Sequence, residues 1–345
     1  MTPKYEAQQR KKAHPVRRAW ICIIAGMGLL IGVAVFSVTC GVSDISVSTI
    51  FEALFRFDPK NNSHLIVRDI RLPRVIASAL VGAALAVAGA VMQGITRNPL
   101  ADSGLMGLNA GAGFALAVCF AFFPALSYPQ MILACFVGAA LGASIVMSVA
   151  SLGRSADMPT RLILAGAAVS MLLTALSQGL ALYFDVSQDI MFWTVGGVAA
   201  ATWEQVAMMT PFILAAIASA ILIAKQVSLL SLGEEVAKGL GANIKLINTC
   251  CAGIVVALAG ISVSVVGAVG FVGLIVPHVV RFFVGVDYRW IVPASAVLGG
   301  LLMIVADLGA RTIKPPAEIP VGALVAVIGV PVFLYLVRKQ ERRRQ

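Results

Sequence analysis

The sequence predicts an all-α, polytopic membrane protein that crosses the bilayer ten times. Hydrophobic residues make up 59% of the chain and charged residues only 12%, about half the charge of an ordinary globular domain. Mean hydropathy is +0.94. Charge-free stretches of about 20 residues, enough to cross the hydrocarbon as helix, recur along the whole length.

The spans follow in order. Residues 1–18 are basic and polar, with Lys11, Lys12, Arg17 and Arg18 close to the first span at about Ala19 to Cys40. That run is too long for a signal-peptide core and shows no clear cleavage site, which predicts that it is retained. A polar segment with a short amphipathic helix near Val47 to Phe57 leads to span two, Leu72 to Ile95. Ser103 to Gly153 carries no charge and is divided by Pro124 and Pro129 into spans three and four. Leu162 to Phe184 is span five. Asp185 to Trp203 reads as a loop with interfacial Trp193 and Trp203. Gln205 to Ala224 is span six. Leu246 to Val280 is too long for one crossing and breaks naturally at Gly267-Ala268-Val269-Gly270, giving spans seven and eight. Trp290 to Ala310 and Ile319 to Val337 are spans nine and ten, and residues 338–345 form a basic tail.

Ten crossings put both termini on one side. Most of the 26 Lys and Arg then share that side, leaving Arg56, Lys60, Arg68, Arg71, Arg74, Arg311 and Lys314 on the other. The positive-inside rule places the termini in the cytoplasm of a cell membrane. The same pattern accounts for the net charge of +10 without nucleic acid. Cys22, Cys40, Cys119, Cys135, Cys250 and Cys251 lie in apolar runs without CxxC or Cys/His spacing, so they read as packing residues, with no metal or disulfide framework. No phosphate loop, nucleophile elbow or metal signature is present, which predicts no catalytic residues and no cofactor bound by this chain.

Two constellations stand out. Arg71 and Arg74 lie one helical turn apart at the outer end of span two, and Arg311 lies at the outer end of span nine. Headgroup anchoring explains a lone arginine. Three on the side that the topology rule disfavours point toward a carboxylate-bearing partner. Asp307, four residues before Arg311, is expected to pair with it. On the cytoplasmic side, Ser228 to Asn243 predicts a short amphipathic helix. Ser231 and Glu234 have capping-box spacing, Glu235 joins the first turn, Gly241 is suited to end the helix, and Leu229, Leu232, Val236 and Leu240 share a face. A helix resting on the bilayer and a helix seated in a partner fit this composition equally, although Glu234 and Glu235 suit an anionic leaflet poorly.

Four segments carry a family resemblance. RLPR (Arg71–Arg74), VGAALAVAGAVMQGITRNPLADSGLMG (Val81–Gly107), GAVGFVGLIVPHVVR (Gly267–Arg281) and AEIPVGALVAVIGVPVF (Ala317–Phe333) closely resemble, in this order, the FecCD permeases of ABC importers for iron–siderophores, haem and cobalamin. The resemblance extends over spans one to ten. It implies the type II ABC importer permease fold with an inverted repeat. The echo of Ala86-Val87-Ala88-Gly89 by Ala257-Leu258-Ala259-Gly260, in spans of opposite direction, fits that repeat.

The resemblance also implies partners and roles: a second permease subunit, identical or homologous; an ATP-binding cassette ATPase holding ATP and Mg on the cytoplasmic side; and a solute-binding protein outside. Arg71, Arg74 and Arg311 match the arginines that engage glutamates of the binding protein. Leu232, Gly233, Glu234, Glu235, Ala237, Leu240 and Gly241 match the segment that couples to the ATPase. Asn98 and Leu100 match one cytoplasmic gate, and Pro159 and Thr160 the other. The vitamin B12 permease carries small hydroxyl residues at both of the latter positions, so Pro159 departs from its pattern. The expected function is ATP-driven import of a ferric siderophore, with haem or cobalamin as alternative cargo. A gradient-driven secondary transporter is the competing class. It needs an ionisable group near mid-membrane, which the spans do not offer.

Overall fold

A computed structural model describes residues 3–41, 45–152, 158–315 and 317–341, and among them every regular element is helical. The helices are α1 (Pro3–Thr39), α2 (Val47–Phe55), α3 (Asn62–Leu65), α4 (Leu72–Thr96), α5 (Leu108–Phe122), α6 (Tyr128–Leu152), α7 (Met158–Tyr183), α8 (Ser187–Gly196), α9 (Trp203–Leu222), α10 (Ala224–Ser231), α11 (Glu234–Gly239), α12 (Ile244–Val266), α13 (Val272–Val284), α14 (Tyr288–Thr312) and α15 (Val321–Glu341). Seven helical segments are long and apolar enough to cross a membrane, and α5, α13 and 321–336 are shorter apolar helices. Together they supply a helix for each of the ten spans read from the sequence.

The bundle is built round α4. Its sequence is apolar on every side, which defines a helix for the interior rather than the surface, and most of its residues are buried. Pro73 sits at the start of α4, immediately after a π-helical turn. A π-helical turn, Ile66–Arg71, joins α3 directly to α4, so the helix begins before the span that hydropathy marks. It stops at Arg97, which adopts a left-handed conformation (φ 52°) ahead of Asn98-Pro99.

Small residues let neighbours close on α4. A Cβ on Gly82 would overlap the Gly299 carbonyl of α14, and one on Gly89 would overlap the backbone of Gly273 in α13. Helices α9 and α12 also pack on α4, and α5, α6 and α7 form a flanking group. The outward face of α1, with Trp20, Ile24 and Phe36 exposed, suits a lipid surface.

The structure corrects three local expectations. Residues 185–203 are not a simple loop, because they contain α8 and a 3-10 turn, Gly197–Ala200. Segment 228–243 is not one helix: α10 and α11 are separated at Gly233, whose φ of 120° suits only glycine. The capping box does not form because the N-cap of α11 is Gly233, not Ser231, whose hydroxyl donates to the Ser228 carbonyl. The break between spans seven and eight falls where expected, with α12 ending at Val266 and α13 starting at Val272.

Gly82→Val would insert bulk where α4 and α14 backbones touch and should cost at least about 1–3 kcal/mol, read as a lower Tm in detergent. Gly28→Ala, with open space around its Cβ position, should leave Tm unchanged or slightly raised.

Candidate functional site

The three arginines do gather at one end of the bundle, but they face inward. Arg71, Arg74 and Arg311 are all buried. Arg74 clasps Asp307 through Nε (2.9 Å to Oδ1) and Nη2 (2.8 Å to Oδ1), and its Nη1 donates to Glu318 Oε1 at 2.8 Å. Arg71 Nη1 donates to the carbonyls of Val38 (2.6 Å) and Thr39 (3.0 Å) at the end of α1. Arg311 donates to the Cys40 carbonyl and to Ser37. The cluster therefore ties α1, α4, α14 and the loop before α15 together. The expected Asp307–Arg311 pairing is present only as a 3.9 Å contact, since Asp307 gives its short contacts to Arg74. Asp307 is fully buried, whereas the Glu318 side chain is 41% exposed.

At the opposite end, Asn98 Oδ1 accepts from the Leu100 amide at 3.0 Å, which closes the α4–α5 turn. Arg97 reaches Glu234 of α11 at 3.4 Å. This pair puts the turn after the second span and the segment after the sixth at one end, as an even number of intervening crossings requires. Val227 and Leu230 anchor α10, and Ala237 anchors α11. Gly241, at φ 80°, ends α11 with its amide on the Lys238 carbonyl. The anchoring turns the other face outward: Leu232 is 66% exposed and Leu240 63%, with Val236 and Glu235 exposed beside them. This is an apolar platform with an acidic edge. Pro159 and Thr160 lie in the first turn of α7, and Thr160 is exposed.

Behind the platform lies a cavity of about 630 Å³, lined by Arg97, Leu100, Leu232 and Arg281 among others. Its floor is a polar network that sequence reasoning did not single out. Buried Gln93 of α4 donates through Nε2 to the Gly273 carbonyl (3.0 Å) and accepts from Arg281 Nη1 (2.6 Å), while Arg281 Nη2 donates to the Tyr288 hydroxyl (3.0 Å). Asp102, just past the α4–α5 turn, accepts from the Ser103 amide at 2.8 Å and from the Phe271 amide. It thereby satisfies a donor at the buried start of α13, where Phe271 is held at φ 67°. The visible signal for Gln93 was a polar side chain in an otherwise apolar stretch; Asp102, inside a polar turn, gave none. Asp287 caps α14 through the Arg289 amide, and the Arg289 guanidinium beside it holds its carboxyl below the usual range. Among the described residues no group of three or more His, Cys, Asp or Glu is placed to hold a metal.

A bundle of ten apolar helices among the described residues, charged and internally paired at one end and presenting a platform at the other, defines a multi-span membrane protein. The FecCD transport family model matches residues 29–339, and the chain belongs to that family. It is 48% identical over 324 residues, 94% of this chain and 84% of the relative, to the iron(3+)-hydroxamate import system permease protein FhuB of Bacillus subtilis (strain 168). It is 35% identical to the hemin transport system permease protein HmuU of Yersinia pestis, over 92% of this chain and 95% of that one. A solved structure described as an inward-facing, metal-chelate-type ABC transporter superposes with TM-score 0.80 at 29% identity, covering 92% of this chain and 98% of that chain. The fold is that of an ABC importer permease.

Asp307→Asn removes the countercharge from two buried guanidiniums and should cost about 3–5 kcal/mol, seen as loss of the monodisperse peak on heating. Glu318→Gln, which removes the solvent-exposed partner and leaves Arg74 paired with Asp307, should cost less, about 1 kcal/mol.

Proposed function

We propose that the chain is the transmembrane permease subunit of a binding-protein-dependent ABC importer that carries a ferric siderophore of the hydroxamate class across the cytoplasmic membrane. The observation that carries the substrate class is the 48% identity, over nearly the whole chain, to a permease for iron(3+)-hydroxamate. The chemistry of α7 agrees with it. Within an apolar helix, Thr174 and Gln178 are exposed, although lipid offers them no hydrogen-bond partner. They fit a surface covered by a second permease subunit and a water-filled path between the two. A ferric ion wrapped by hydroxamate anions is an uncharged chelate, and amide and hydroxyl groups suit such a cargo without binding it as an ion.

In this reading both termini are cytoplasmic, and residues 19–337 form the permease body. The platform of Leu232, Val236 and Leu240 with Glu235 seats the ATPase subunit, which holds ATP and Mg. Gly233 and Gly241 set the angle of α11, buried Ala237 seats it on the bundle, and the Arg97–Glu234 pair links it to the α4–α5 turn. A push on α11 therefore reaches Asn98 and Leu100, which, with Pro159 and Thr160, form the cytoplasmic gates. At the other end Arg71, Arg74 and Arg311 receive the carboxylates of a solute-binding protein.

Leu232→Asp combined with Leu240→Asp places charge at two solvent-exposed positions of the platform. Co-purification of the ATPase should fall by at least about tenfold, the size of one interface hot spot, and ferric-hydroxamate uptake by cells should stop while the amount of folded permease is unchanged. Undiminished ATPase capture would contradict the assignment of the platform.

A further inference from the structure

The arginine end poses a physical problem for docking. Arg74 is buried and already holds two carboxylates, so a partner's carboxylate cannot simply add to it. The two acids differ, however. Asp307 lies inside the bundle on α14, clasped by Arg74 and approached by Arg311 at 3.9 Å. Glu318 stands at the rim with its side chain 41% exposed, in the irregular segment 317–320 that precedes α15, and touches Arg74 through a single 2.8 Å contact to Nη1. A carboxylate open to solvent gives up an ion pair more readily than a buried one, because water can solvate it as it leaves, whereas removal of a buried partner leaves a stranded charge.

We propose that Glu318 is an exchangeable stand-in that occupies, in the free permease, the position on Arg74 that a carboxylate of the docking protein takes over. The inference rests on the docking role proposed above for these arginines and adds an internal competitor to it. The exchange keeps Arg74 neutralised throughout, with Asp307 never released. It also frees the loop that Glu318 tethers, which leads directly into α15. Docking affinity is thereby set partly by a residue of the permease that never contacts its partner in the bound state.

The test measures binding of the solute-binding protein encoded with this permease, loaded with ferric hydroxamate, to the permease–ATPase complex in lipid nanodiscs. Glu318→Gln should bind about threefold to tenfold more tightly, the strength of one charge pair with a solvent-exposed partner, and Glu318→Ser should behave alike. Glu52→Gln removes the same charge elsewhere on this end of the chain, where Glu52 lies 3.9 Å from His64, and should change binding less than about twofold. Arg74→Lys, which keeps the charge beside Asp307 but loses the forked geometry, should weaken binding about tenfold or more. If Arg74→Lys and Arg311→Lys both bind as wild type, the docking role itself fails. If they weaken binding while the Glu318 variants are unchanged or weaker, or while Glu52→Gln gains equally, docking stands and the exchange is overturned.

Discussion

The arginine end of the bundle depends on one buried ion pair. A guanidinium and a carboxylate withdrawn from water at the end of an apolar bundle remain ionised only while each holds the other. Arg74 and Asp307 meet this condition with contacts of 2.8–2.9 Å, and in doing so they fix the start of α4 against the end of α14. The glycine contact between Gly82 and Gly299 continues the same seam toward the middle of the bundle. Arg71 and Arg311, brought into the same space, turn to the last carbonyls of α1. At the other end α4 is held by Gln93, whose amide joins α13 to α4 and meets Arg281. One helix is thus pinned at both ends by polar contacts and closed along its length by small residues.

The spans were legible because hydropathy is a local property and each crossing repeats the same requirement. So was the break near Gly267-Ala268-Val269-Gly270, since a charge-free run longer than the bilayer must turn somewhere. The burial of the arginines was not legible. An arginine at the end of a span has the same local sequence whether it reaches outward to headgroups or inward to Asp307, and its partners here lie 233 and 244 residues away. Asp307 and Arg311 at i and i+4 suggested a local pair, but the bidentate geometry open to Arg74 took the carboxylate instead. On the platform side, the capping-box spacing of Ser231 and Glu234 was real but unused, because Gly233 breaks the segment before a shared helix can form. Gln93 and Asp102 were hidden for the opposite reason: a lone glutamine in an apolar run, or an aspartate in a polar turn, looks incidental until its buried partner is seen.

The family places the chain among permeases, and the geometry suggests how its two ends communicate. Helix α4 begins in the ion cluster and ends in the turn that Arg97 joins to α11. Helix α15 begins just beyond Glu318, and Leu336 near its far end lines the cavity behind the platform. Events at either end therefore act on helices that reach the other, which suits a transporter whose cargo is delivered on one side and whose energy is supplied on the other.

The central claim is that this chain moves a ferric hydroxamate only as part of an ATP-driven assembly. The direct measurement is accumulation of radiolabelled ferric hydroxamate by proteoliposomes containing the permease, with the ATPase, binding protein and ATP each added or withheld. Accumulation that requires all three supports the account. Accumulation by the permease alone, driven by an imposed proton or sodium gradient, would contradict it.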